Sequence, residues 1–135
     1  VKPFLDTNIL VYASLSDDPR RFAAEQILLA GGTISAQVLN EFTNVARTKL
    51  GWSWTDIEAT VDLVRGRISR VRALTADTHA AALVLARDHG FAFYDALIVA
   101  AAIEAGCDIL YSEDMQHGRV IGGLTIRNPF IEGML

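Results

Sequence analysis

The chain has 135 residues, 51% hydrophobic and 21% charged, and its 12 Lys+Arg against 16 Asp+Glu leave a formal charge of −4. Roughly 100–150 residues is the commonest domain size, so the length suits one domain that needs neither disulfides nor a structural metal to fold, and the composition excludes disorder and low complexity. The negative balance argues at first against a nucleic-acid partner, whose phosphates are usually gripped by excess Lys and Arg.

In chain order, the first segment with strand character is Pro3–Leu5, followed by Asp6 and a short helix starting near Asn8. Asp18-Pro19 reads as the N-cap and first-turn proline of a helix that Gly31-Gly32 ends. A strand at Thr33–Ser35 leads into a helix from about Ala36 to Leu50, stopped by Gly51. Thr55 and Glu58 form a capping box for the next helix, which runs to about Arg65 or Ile68. Strand Val71–Leu74 follows, and Thr75 caps a helix over Ala76–His89 closed by Gly90. The last helix begins near Tyr94-Asp95 and ends at Gly106. Its stretch Ala96–Ile103 is apolar around the whole circumference, which marks a buried helix. Strands Asp108–Tyr111 and Leu124–Arg127 complete the chain, with Gly118, Gly122 and Gly123 as turn residues between them. Short apolar strands alternating with helices predict an α/β fold, a mainly parallel sheet flanked by helices on both faces.

Several classes drop out. The apolar run Ala96–Ile103 falls far short of the roughly 20 residues of a membrane span. With no signal-peptide core at the start, a cytoplasmic location is expected. The single thiol, Cys107, fits a reducing compartment and an inert core position. There is no Walker loop, no G-x-G-x-x-G after the first strand and no G-x-S-x-G elbow.

In a parallel sheet, ligands bind outside the carboxyl ends of the strands. Asp6 directly follows the first strand, Asp114 follows Asp108–Tyr111, and Asp95 opens the helix before that strand. Glu41 lies one to two turns into the helix after Thr33–Ser35, beside its apolar stripe of Val38, Phe42 and Val45. Taken singly, Asp6 and Asp95 could be helix caps, Asp114 a turn residue and Glu41 a solvated position. Taken together they converge on one edge. Two unit charges about 5 Å apart repel by roughly 3 kcal/mol at an effective dielectric of about 20. Such a cluster raises its own pKa values or recruits a cation, and all-oxygen ligands select Mg²⁺ or Mn²⁺. Zinc is disfavoured, since His79, His89 and His117 lack ligand spacing and Cys107 has no partner. His117, near Asp114, reads as a surface loop residue or a substrate contact.

Four segments carry a family resemblance: Leu5-Asp6-Thr7-Asn8, Asn40-Glu41-Phe42 with Asn44, Phe93-Tyr94-Asp95-Ala96-Leu97-Ile98, and Tyr111-Ser112-Glu113-Asp114-Met115. In this order, and over nearly the whole chain, they resemble a PIN-domain ribonuclease, specifically a VapC-type toxin of a type II toxin–antitoxin system. The resemblance implies a single PIN-like nuclease domain over residues 1–135. It also implies an Mg²⁺-dependent endoribonuclease with an acidic quartet at Asp6, Glu41, Asp95 and Asp114. Thr7, Asn8 and Ser112 match its supporting polar residues. Asp6, Asp95 and Asp114 would hold the metal, and Glu41 would complete the outer shell or take the water's proton. Glu113 adjoins Asp114, and the family's spacing from Ser112 selects Asp114 and leaves Glu113 peripheral. The implied partners are RNA, a cognate antitoxin contacting the early helices, and a second copy of the chain.

Cations available to grip RNA are Arg20, Arg21, Arg47, Lys49 and Arg119, with Arg65, Arg67, Arg70 and Arg72 as a second group. Trp52 and Trp54 are either exposed anchors or local core. Two other functions compete: an Mg²⁺-assisted hydrolase of small phosphate esters, and a non-catalytic binding module whose acids only cap helices. Setting the quartet aside leaves as many acids as bases, so the −4 is the charge of the proposed site.

Overall fold

Strand β1 (Pro3–Leu5) is central, and the computed structural model, which describes residues 2–131, builds outward from it. The other strands are β2 (Thr33–Ser35), β3 (Arg70–Arg72), β4 (Ile109–Tyr111), β5 (Val120–Ile121) and β6 (Leu124–Arg127). Helices α1 (Thr7–Ala13), α2 (Arg21–Leu29), α3 (Ala36–Thr48), α4 (Trp54–Arg67), α5 (Ala76–His89) and α6 (Phe93–Glu104) connect them. The strands form one six-stranded sheet in the order β3-β2-β1-β4-β6-β5, parallel except for the β5–β6 hairpin. Phe4 and Leu5 are neighbours on β1, so their side chains point to opposite faces, yet both are fully buried. Helices therefore cover the sheet on both sides, as the apolar strands predict.

The topology decides where a site can form. The chain runs from β1 through β2 to β3 on one side, then returns to place β4 on the other side of β1. Strand order thus reverses between β1 and β4, and a crevice opens beyond their carboxyl ends. Register sharpens this: Leu5 pairs with Tyr111, so the next residues, Asp6 and Ser112, leave the sheet side by side.

The helices follow their local chemistry, with some corrections. Helix α5 has the predicted bounds: Thr75 and Thr78 cap one another's backbone, and Gly90 ends the helix at φ +74°, a conformation that favours glycine. Helix α6 starts one residue earlier than predicted, and Ala96 to Ala102 are all buried. Helix α2 begins at Arg21, not at Asp18-Pro19, because Asp18 spends its carboxylate on the Arg20 backbone N–H (2.8 Å) and side chain. Helix α4 is capped by Ser53, which accepts from Asp56 N at 3.1 Å, so the Thr55–Glu58 box is not the cap. Helix α3 ends at Thr48, two residues early. Strand β3 occupies Arg70–Arg72 instead of Val71–Leu74, since pairing with Thr33–Ser35 sets its register. Strand β5 has no counterpart among the sequence-predicted strands, because two residues before a glycine turn carry no periodicity.

Cys107 is buried as expected. The tryptophans divide: Trp52 packs edge-on to Phe42, with ring centroids 6.2 Å apart, while Trp54 is 55% exposed.

Alanines on α6 set its close approach to the core, so added volume there has nowhere to go. Ala102→Leu, at a fully buried position, is expected to cost about 1–3 kcal/mol through overpacking. Urea unfolding with an unchanged m-value checks this.

Candidate functional site

Asp6 directly follows β1, caps α1 and is only 7% exposed. Its Oδ1 accepts from Thr7 N at 2.7 Å and its Oδ2 from Ser112 Oγ at 2.8 Å. Ser112 is fully buried, and its backbone N–H donates to Arg127 O of β6 at 3.0 Å. Thr7 Oγ1 donates to Glu41 Oε1 at 2.7 Å and so ties α1 to α3. Asn8 Nδ2 reaches Asp114 Oδ2 at 3.4 Å, while its Oδ1 is buried and has no partner among the described residues.

Asp6, Glu41, Asp95 and Asp114 all line one cavity of about 330 Å³, together with Thr7, Asn8 and Tyr12. Ser112 stands behind Asp6. Lys49 is the one basic side chain on the wall among the described residues. Asp95 does not cap α6: the N-cap is Ala92, and Asp95 lies in the first turn with its carboxylate turned to the cavity. The carboxylates are electrostatically linked. Burial, aided by the charges of Glu41 and Asp95, pushes the Asp6 carboxyl up to about 6 against the hydrogen bonds from Ser112 and Thr7. Burial likewise raises Asp95, with Asp114 and Glu41 adding to it. Among the described residues, no three acidic, imidazole or thiol groups have closed into a ligand shell. The carboxylates surround a shared space.

Glu113 points elsewhere. Its carboxylate accepts from Arg20 Nη1 (3.0 Å) and from the Tyr12 hydroxyl. Of the first group of cations proposed to grip RNA, four are engaged within the chain. Arg20 pairs with Asp18 and Glu113, Arg21 with Glu25, Arg47 donates to Trp52 O and stacks on Trp54, and Arg119 stacks on Phe91. Of that first group only Lys49 lines the carboxylate cavity. Arg70 and Arg72 lie on the edge strand β3, apart from the site. His117 is exposed, and its Nδ1 accepts from Asn128 N at 3.0 Å, a contact that pins the loop before β5. Sequence reasoning missed Tyr12; on a short, mostly apolar helix its pattern is that of a core residue.

The sequence model of the PIN domain matches residues 4–122. The chain belongs to the PIN domain family. No curated protein matches it significantly. Among solved PIN-fold structures, Mycobacterium tuberculosis VapC20, a toxin that cleaves the sarcin–ricin loop, is 22% identical at a TM-score of 0.70, over 84% of this chain and 90% of that one. VapBC2 from Rickettsia felis, bound to promoter DNA, is 21% identical at 0.68, over 95% and 98%. A Klebsiella pneumoniae toxin–antitoxin complex is 20% identical at 0.70, over 96% and 98%. At these identities the likeness speaks for the PIN fold.

The raised Asp6 pKa has a definite consequence for stability. The folded state holds the Asp6 proton more tightly than the unfolded chain, so this contribution is full below about pH 4 and is lost as pH rises through about 6. The loss is of order 2–3 kcal/mol. In chelator, Asp6→Asn should flatten that decline and be more stable than wild type at pH 7. Thermal melts across pH 3–8 measure it; equal slopes for the two proteins refute the assignment.

Proposed function

We propose that this PIN domain is an Mg²⁺-dependent endoribonuclease, with Mn²⁺ able to substitute, acting as the toxin of a toxin–antitoxin pair in the cytoplasm. One observation carries the reading: carboxylates from the end of β1, from α3, from α6 and from the loop after β4 share one cavity, and within it burial and the neighbouring negative charges disfavour ionisation of Asp6 and Asp95. A divalent cation relieves such a cluster. All-oxygen donors around a space that also admits waters suit Mg²⁺, which keeps part of its hydration and takes one or two carboxylates directly. The residues present fit the ion. Asp6, Asp95 and Asp114 would hold it, directly or through water, with the unpartnered Asn8 Oδ1 as a further acceptor nearby. Bound there, Mg²⁺ supplies Lewis acidity toward a phosphodiester and a water.

The chain's own groups do the remaining work. Thr7 N and Ser112 Oγ fix the two oxygens of Asp6. Thr7 Oγ1 engages one oxygen of Glu41, and the other is left to accept the proton of an attacking water. Lys49, on the cavity wall, meets the charge of the substrate phosphate.

The toxin reading rests on the structural likeness to VapC20 and to two toxin–antitoxin complexes. A second cavity, of about 400 Å³, lies among α1, α2 and α4, with Leu28, Leu29, Leu63 and Val64 on its wall. Leu29 is 55% exposed and Leu63 67%. This groove suits an apolar segment of the antitoxin. Exposed Leu83 and Val84 on α5 offer a face for a second copy of the chain. Among the described residues no helix is long and apolar enough to cross a membrane.

Purified protein should cleave structured RNA with Mg²⁺ and stop in EDTA, with activity lost in Asp6→Ala and Asp95→Ala. Glu41→Gln should lose about 100-fold or more in rate. Gel analysis of RNA ends reads all three. Turnover of a small phosphate ester with RNA left intact refutes the endoribonuclease reading, and full activity in Asp6→Ala refutes the site.

A further inference from the structure

Asp114 has little to hold it. Among the described residues its side chain meets only the long 3.4 Å contact from Asn8, and it stands on a turn between two anchored residues. On one side, Ser112 is tied to Asp6 and to β6. On the other, Met115 is buried, and its N–H reaches back to Ser112 Oγ at 3.4 Å. The outer side of that turn is Glu113, which is gripped from a different part of the chain.

The grip is Arg20, in the α1–α2 connection. Its Nη1 donates to Glu113 Oε2 (3.0 Å), to Oε1 (3.2 Å) and to the Tyr12 hydroxyl (2.8 Å). Tyr12 in turn donates to Glu113, and the guanidinium lies over the Tyr12 ring, 3.7 Å from its centroid. The far side of the fork is equally engaged: Nε and Nη2 donate to the two oxygens of Asp18 at 2.9 and 2.8 Å. Asp18 also accepts from the Arg20 backbone N–H, so the arginine is fixed at both ends. Tyr12 is itself wedged edge-on against Phe130, with centroids 5.2 Å apart. Burial and the Glu113 carboxylate keep the Tyr12 phenol protonated, pushed up to about 12, so it remains a donor.

We infer that Arg20 is a positioning residue for the carboxylate site: through Glu113 and Tyr12 it clamps the Ser112–Met115 turn, so that Asp114 faces the cation and Glu113 is withheld from it. The inference rests on the proposed cation site and adds a residue outside its acidic quartet. It uses the planar fork of arginine, which satisfies Asp18, Glu113 and Tyr12 together; an ammonium cannot.

The test is Mn²⁺ binding to the full chain without substrate, followed by electron paramagnetic resonance and run well below each variant's Tm. Arg20→Ala and Glu113→Ala should each weaken Mn²⁺ binding about tenfold, the lower end of what loss of a supporting contact costs a metal site. The double variant should be no weaker than either single one, because both act through one clamp. Arg20→Lys should fall between wild type and Arg20→Ala. Tighter binding in Arg20→Ala overturns the inference, since it makes Glu113 a ligand set free. Losses that multiply in the double variant overturn it too, as does a lowered Tm with unchanged Mn²⁺ affinity. Wild type that fails to bind Mn²⁺ refutes the cation site itself, and the clamp with it; wild type that binds, with variants that bind equally, refutes the clamp alone.

Discussion

Burial of the Asp6 carboxylate, at the end of the central strand, is the constraint around which the rest is arranged. A carboxylate taken out of water needs donors for its charge. Here a backbone N–H at the start of α1 and a buried hydroxyl from the neighbouring strand end supply them, one to each oxygen. Neither donor is free to be placed elsewhere. The parallel pairing of β1 with β4 brings Ser112 beside Asp6, and α1 must begin at Thr7 to present its amide. These donors still leave the acid with a raised proton affinity. The fold tolerates a partly compensated charge at its centre, and a cation is what would complete the compensation.

Much of this was legible in the residues. The strand ends that carry Asp6 and Asp114 could be located because short apolar runs stop abruptly at acids, and parallel topology then fixes the edge they share. Helix α5 was legible to the residue, since Thr75 and Gly90 are strong local signals that tertiary contacts do not oppose. Where two local signals competed, sequence could not arbitrate. Ser53 and Thr55 are both hydroxyl caps two residues apart, and the choice falls on Ser53, which makes Trp54 the first helical residue. Strand β3 slid to an arginine-rich stretch because its partner, not its own apolar pattern, sets the register.

The arginines show the other limit. From composition, Arg20 looks like a phosphate-binding residue as much as any of its kind. Its two acidic partners stand two and 93 residues away, and only the folded chain brings the distant one to it. The same holds for Tyr12, whose ring reads as core and whose hydroxyl works at the rim of the site. Arg20, Arg21, Arg47 and Arg119, which count as available RNA contacts in a linear reading, thus brace the chain itself, and of that group Lys49 is left at the cavity wall.

The two margins of the sheet are blunt. Strand β3 is three residues long with an arginine at either end, and β5 has two residues. Such margins offer a passing strand only a few backbone hydrogen bonds and, on one side, a pair of charges. Short, charged margins of this kind are poor templates for edge-to-edge pairing between copies. The helix surfaces, by contrast, present their side chains without such a limit of length.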